Sequence, residues 1–480
     1  MNMKKYLAII LAAAAIAALV AVALLRNGSA GADGVRVFTF RDDGVSFSGG
    51  STNYEISGTQ VTITGSGVFT LTGACAEGSV VVKKGVTDVT LILRDLELSA
   101  SDTAPIVLKK NSQVELRIEG DCTLTDNEDP ENENEDTFEG AAIKVKTGAS
   151  LTLTGDGTLY LAGNAKNAIK GAAEASVTVD GPTVTVAAVK DGVACDGEIT
   201  ILSGALDVTA GNDGVKASPD DGDDASLGNV TILGGTLRLA VGDDAIHAAG
   251  VLTVGTEGAE EGPQITVTES REGLEGATVL LHGGSGVICA ADDAVNAGGS
   301  GENAIRVTGG SWYVDSDGDG FDANGGIEIT GGSLEIYGAE NGSGANTALD
   351  SDTGVAVTGG SVLTVDTNGT QPEGVRVRFT GLSLQSGSAL EIRDASGTVL
   401  RTGTAQKSAS TVLLAGDGVA EGETYTLFVD GAAAATATAE QGEYTDEMFG
   451  GFGGPMTPPD FANGERPERP AFGKSAETSG

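Results

Sequence analysis

Positive charge is scarce: 28 Lys and Arg face 68 Asp and Glu in 480 residues, for a formal net charge of −40. Nucleic acids and anionic membrane surfaces would repel such a chain, which excludes them as partners. Aromatic residues are only 4% of the chain, so a core has to come from Val, Ile, Leu and Ala. Proline is also rare, at 11 residues, so the 74 glycines signal neither collagen nor a low-complexity polymer. The four cysteines, Cys75, Cys122, Cys195 and Cys289, form no close-spaced pair, which excludes a zinc ribbon and a redox CxxC motif. A Cys75–Cys122 disulfide and unpaired buried thiols are both compatible with the spacing. No nucleophile elbow, P-loop, HExxH helix or dinucleotide fingerprint is present.

The acidic excess points instead to divalent cations. Lys4 and Lys5 precede an unbroken apolar run from Tyr6 to Leu25, followed by small residues through Ala32. That is the layout of a signal peptide, and the run is also long enough for an N-terminal membrane anchor. Either way the remainder is expected outside the cytoplasm, extracellular or attached to the cell surface.

From about residue 60 a unit recurs: strand, Gly-containing turn, strand, acidic turn, apolar residue. Clear copies are "ITILSGALDVTAGNDGVKA", "VTILGGTLRLAVGDDAIHA", "VLLHGGSGVICAADDAVNA" and "IRVTGGSWYVDSDGDGFDA". The apolar residue sets a register at Ile143, Ile169, Val193, Val215, Ile246, Leu274, Val295, Phe321 and Leu349, in steps from 21 (Leu274 to Val295) to 31 (Val215 to Ile246). A period in the twenties with several strands per unit is one coil of a parallel β-helix. Leucine-rich repeats need a helical leg, and no segment has helical periodicity; propeller blades need about 40 residues. The expected fold is all-β: a right-handed parallel β-helix with a small C-terminal β module.

The register assigns faces. Leu206/Val208, Leu237/Leu239, Trp312/Val314 and Leu334/Ile336 point inward, whereas Asp207, Arg238, Tyr313 and Glu335 point out. Gly286 occupies the inward position stacked on Trp312, so the tryptophan is expected to fill that gap. Two residues past the register lies a column of small residues: Gly171, Cys195, Ala217, Ala248, Gly276, Ala297, Ala323 and Ser351.

Two residues before the register lie Asn167, Asp191, Asp213, Asp244, Glu272, Asp293, Asp319 and Thr347. Stacked about 4.8 Å apart, neighbouring carboxylates would repel by roughly 3–4 kcal/mol at an effective dielectric near 20, and by about 1 kcal/mol in water. Six acidic rungs therefore have to face water, hold protons or hold cations. Calcium suits them because it takes several oxygen ligands in flexible geometry. Capping of a turn's own backbone by Asp explains any single copy equally well. The sharpest local pattern is Asp315-Ser-Asp317-Gly-Asp319-Gly320 with Asp322, which matches the first positions of a calcium loop. Gly326 stands where an EF-hand needs Glu, so the loop would be completed by neighbouring coils. The expected metal ligands are Asp191, Asp213, Asp244, Asp293, Asp315, Asp317, Asp319 and Asp322.

Lys170, Lys190, Lys216 and His247 lie near the acidic turns. Calcium beside a basic residue is what a uronate lyase uses, with Lys216 as a trial base. A charge-balancing role for these residues is the plainer reading. Lys216, His247 and Tyr313 are the candidate sugar contacts.

The blocks "VTLILRDLEL", "AAIKV", "GDGTLYLAGN", "ITILSGALDVTAGNDGVKAS" and "NVTILGGTLRLAVGDDAI" resemble, in order, a bacterial family of carbohydrate-binding-domain proteins. These are polysaccharide-lyase-like β-helices described as calcium-containing binders of cellulose and acidic sugars. The stretch "ALEIRDASGTVLRTGTAQKSASTVLLAGDGVAEGETYTLFVDG" resembles that family's terminal β module, so the likeness runs from about 60 to 430. The family's acidic turns fall on Asp191, Asp213 and Asp244. Ala245 departs from the usual Gly, and the insertion at 126–139 is unusually acidic. The resemblance implies binding of extracellular polysaccharide without catalysis. A structural surface protein or adhesin, and a calcium-dependent lyase, are the alternatives. The organisation expected is a leader or anchor at 1–30, a cap at 31–59, the β-helix at 60–373, the β module at 374–440 and a disordered tail at 441–480, in a monomer.

Overall fold

The computed structural model describes residues 36–134, 137–219, 227–301, 303–339, 346–367 and 369–444. The expected leader and the tail beyond 444 lie outside these residues, as does most of the acidic turn at 218–228. Among the described residues the helical content is one 3-10 turn, Pro130–Asn132, inside the acidic insertion.

The β-branched runs form a parallel solenoid of about eleven turns. One coil shows the pattern: a first strand Glu198–Ile201, a second Ala205–Ala210 and a third Val215–Ala217. Each pairs in parallel with its counterpart one coil on: Val230–Ile232, Thr236–Val241 and the start of Ile246–Val254. Three parallel sheets result, here called first, second and third. Along the third, Ile143, Ile169, Val193, Val215, Ile246, Leu274, Val295, Phe321 and Leu349 are successive partners, as the sequence register requires. The small-residue column from Gly171 to Ser351 is reproduced along the same sheet.

Tight turns between first and second strands need a backbone that glycine alone adopts readily. Gly204, Gly235, Gly284, Gly310 and Gly332 all have φ between +86° and +96°. Beyond each turn, alternation sends every second side chain inward, so aliphatic residues stack into one continuous core. Each fully buried Val, Leu or Ile contributes about 1.5–3 kcal/mol. Gly286 pairs with Trp312, and a Cβ on Gly286 would lie 2.5 Å from the indole ring. Trp312 is buried and donates from Nε1 to Gly309 O at 3.1 Å, so it is a core residue, not a sugar platform. All four cysteines are free; burial pushes the Cys195 thiol up to about 12, which makes it inert at neutral pH.

Both solenoid ends are covered, which hides unpaired strand edges. At the start, the hairpin Val37–Arg41/Gly44–Ser48 brings Phe38 and Phe47 against Tyr54 and Phe69. At the far end, Thr411–Gly416 pairs antiparallel with the last second-sheet strand and with Gly374–Phe379. Glu440–Gly442 adds to Gly374–Phe379, and the Tyr444 hydroxyl donates to Ser351 O at 2.9 Å. A separate antiparallel sheet joins Val399–Thr404, Ala389–Arg393, Thr424–Val429 and Ala432–Thr438 in that spatial order.

Candidate functional site: an acidic ladder in two halves

The ladder residues sit in the turns from second to third strand. Asn167, Asp191, Asp213, Asp244, Glu272, Asp319 and Thr347 are buried and Asp293 is half-buried, so the row does not face bulk water. Its side chains cap the backbone of the next coil. The peptide N–H of Asp213 donates to Asp191 Oδ1 (3.3 Å), that of Asp244 to Asp213 Oδ1 (3.1 Å), and that of Asp319 to Asp293 Oδ1 (2.7 Å). The N–H of Thr347 donates to Asp319 in the same way. A short acceptor side chain satisfies a buried donor that each coil would otherwise leave unpaired. This explains the column's residue types, but not where its negative charge goes.

In the lower coils the protein supplies the cations itself. Lys190 Nζ lies 3.5 Å from Asp191, which also accepts from Asn212 Nδ2 at 2.7 Å. Lys216 Nζ lies 2.6 Å from Asp213 Oδ2. Arg271 bridges Asp243, Asp244 (3.0 Å) and Glu272, and reaches within 3.6 Å of Asp292. His247 sits between Asp244 (3.3 Å) and Glu275. Burial alone would lower the imidazole pKa, but hydrogen bonds to Asp244 and Glu275 outweigh it and hold His247 up at about 9. It is therefore an imidazolium at neutral pH, held between two carboxylates. Two carboxylate clusters here, Asp213/Asp243/Asp244 and Asp244/His247/Glu275, are compact enough for a metal. Both are already neutralised from within.

The upper coils differ. Asp293, Asp319 and Asp322 bring one oxygen each within 4.8 Å of one another. Among the described residues no Lys, Arg or His forms an ion pair with any of them, and the Asp322 side chain makes no hydrogen bond. Asp322 stands on the outward column of the third sheet, in register with Asn296 and Asp350. Burial, then the neighbouring acids, raises all three carboxyls: Asp293 to about 6, Asp319 to about 8 and Asp322 to about 7. Three carboxylates brought together without an ion-pair partner among the described residues form a hard, all-oxygen donor set that fits calcium.

The sequence-predicted residues are thus distributed over distinct places. Asp293, Asp319 and Asp322 converge. Asp315 and Asp317 do not join them: both turn to Lys407 of the C-terminal module, at 3.0 and 2.9 Å. Asp315 belongs to the outward column of the second sheet, beside Cys289 and Tyr337; that strand ends at Ser316 and the turn after it carries Asp319 towards the third sheet, so the expected calcium loop is divided between two sheets. Asp191, Asp213 and Asp244 are internal ion-pair partners. Lys216 and His247 are neighbours on the third sheet, whereas Tyr313 lies on the second, beside Val287 and Glu335. Sequence reasoning missed Arg271. Its one visible signal is a basic residue directly before a rung, the place Lys190 also holds.

Comparison with known families decides the broader identity. The family described as "Carbohydrate-binding domain-containing protein" matches residues 57–320, over half of the chain. The chain belongs to that family. The matched part of this carbohydrate-binding-domain protein carries the ladder from Asn167 to Asp319 and stops before Asp322 and the C-terminal module. No curated protein matches the chain. Among solved structures it is similar to a polysaccharide lyase-like protein from C. thermocellum, solved as a gadolinium derivative. The two are 25% identical, the match covers 49% of this chain and 91% of that one, and the TM-score is 0.42.

Proposed function

We propose that this carbohydrate-binding-domain protein is a calcium-dependent, non-catalytic polysaccharide binder acting outside the cytoplasm, on cellulose or acidic pectic sugars. The observation that carries the calcium reading is the convergence of Asp293, Asp319 and Asp322 without a neutralising partner among the described residues. A bound calcium would cancel their repulsion and offer its remaining coordination positions to uronate carboxylates or sugar hydroxyls. The protein's own part is to hold three oxygens ready on a rigid stack of coils. The apolar run behind Lys4 and Lys5 supports export.

A lyase reading is weaker at its trial base. Burial pulls Lys216 down, but its hydrogen bond to Asp213 and that carboxylate's charge hold it above its ordinary pKa, so it keeps its proton. A purely structural calcium is the second reading, favoured by the burial of Asp319.

The test is retention of the purified protein on insoluble cellulose and on polygalacturonate, in calcium and then in EDTA. Calcium-dependent retention on polygalacturonate without its cleavage, lost in Asp319→Asn, is the expected result. Retention unchanged by EDTA would separate sugar binding from the ladder. No retention under any condition would leave a structural or adhesive role.

A further inference from the structure

The C-terminal antiparallel sheet shares a small core with the last coils, in which Leu390, Ile392, Tyr425 and Leu427 cluster with Tyr337, Leu363 and Val365. Arg401 on Val399–Thr404 ties it to the coil at 333–337, through Nη1 to Ser333 Oγ (2.5 Å) and Nη2 to Leu334 O (3.0 Å). The Thr404 N–H donates to the Tyr337 hydroxyl at 3.3 Å, and Lys407 grips Asp315 and Asp317 one coil earlier. Between these anchors and the outward face of the second sheet runs a cleft of about 530 Å³. Its floor crosses four coils, from Gln264–Glu269 through Ser285–Ala290 and Ser311–Ser316 to Ser333–Tyr337, roughly 14 Å at the usual inter-strand spacing. Leu400, Arg401 and Thr402 form its wall.

The lining is unlike a packing fault. Side chains of Gln264, Thr266, Ser285, Ser311, Tyr313 and Thr402 line the cleft and make no hydrogen bond to protein among the described residues. Beside them the Tyr313 ring and Val287, 45% exposed, give an apolar strip. The two charged side chains are already engaged: Arg401 with Ser333 and Leu334, and Glu335 with the Tyr337 hydroxyl and, at 3.9 Å, Arg401. Free hydroxyls and an amide beside an aromatic face, with no unbalanced charge, match a sugar's ring of hydroxyls around an apolar C–H face. The volume lies within the usual range for ligand sites, about 300–1,000 Å³.

We propose that this cleft is a calcium-independent binding site for a neutral oligosaccharide, with Tyr313 as its stacking platform. The site is built jointly by the solenoid and the C-terminal module, and its wall and its last coil lie beyond the residues matched to the family. It rests on the carbohydrate-binding reading but not on the calcium ladder. Trp312, next to Tyr313 in the chain and itself lining the cleft, is the only tryptophan and therefore a reporter of occupancy.

The test is titration of the whole protein in EDTA with cellohexaose, xylohexaose and laminarihexaose, followed by Trp312 fluorescence and calorimetry. At least one should bind and shift the emission. Affinity should fall at least tenfold in Tyr313→Ala and in Ser311→Trp, which blocks the floor from an exposed position without removing a tie to the module. Replacing EDTA by calcium should leave the affinity unchanged. The proposal is overturned if none of the three binds, or if binding is indifferent to both cleft variants. If binding of the neutral hexaoses appears only in calcium, the ladder reading stands and the cleft reading falls.

Discussion

The lower and upper coils of the solenoid share one backbone plan and one row of short acidic residues, yet they handle charge in opposite ways. Around Asp191, Asp213, Asp244 and Glu272, basic side chains from the same or the adjacent turn lie within ion-pair distance. Around Asp293, Asp319 and Asp322 no such pair forms among the described residues, and the carboxyls are raised to about 6, 8 and 7. The same rung therefore serves two ends. As a cap for the next coil's N–H it is structural in both halves, at Asp191 and Asp213 below and at Asp293 and Asp319 above. As a charge it is neutralised internally below and left for an outside cation above.

The largest effect is expected from erasing the difference. Arg271→Ala leaves Asp243, Asp244 and Glu272 without their shared cation and should cost about 2–3 kcal/mol. That is below the usual penalty for breaking a buried pair, because the guanidinium is 30% exposed. Calcium should restore part of the loss, since the lower coils then resemble the upper ones; urea denaturation with and without calcium measures both. Next comes calcium itself. At a hundredfold excess over its dissociation constant it should stabilise the wild type by about 2.7 kcal/mol, and Asp319→Asn with Asp322→Asn should abolish the gain in thermal melts.

The pH dependence sharpens the contrast. Asp319 and Asp322 keep their protons in the folded state up to about 8 and 7, whereas the unfolded chain releases them near 3.8. Their contribution to stability is thus fully present below about pH 4 and is lost as pH rises through 7 to 8. In EDTA the wild type should lose stability relative to Asp319→Asn between pH 5 and pH 8, and calcium should remove that loss. The smallest effect belongs to Asp317→Asn. Asp317 is 70% exposed and, among the described residues, paired only with Lys407, so stability should change by less than about 0.5 kcal/mol.

The sequence was most legible where repetition made residues comparable. The apolar register, the small-residue column and the Gly286–Trp312 pair all followed from aligning turns, because a parallel stack puts equivalent positions directly above one another. The ladder positions were readable for the same reason. Their burial was not, since the cap runs to the next coil's N–H and leaves no local trace. Acids of a loop motif converge on one ion, whereas in the Asp315–Asp322 run the second strand ends at Ser316 and the turn carries Asp319 and Asp322 away from Asp315 and Asp317. Lys407 and Arg401 act across long sequence separations, so neither the pairing of Asp315 nor the covering of Tyr313 could be read from spacing.

The central claim is that the upper coils hold calcium while the paired acids do not, and calorimetric titration of calcium into the metal-free protein tests it most directly. Wild type and Asp317→Asn should bind alike, and Asp293→Asn with Asp322→Asn should lose that binding. Absence of binding in the wild type, or binding that survives loss of Asp293 and Asp322, would contradict it.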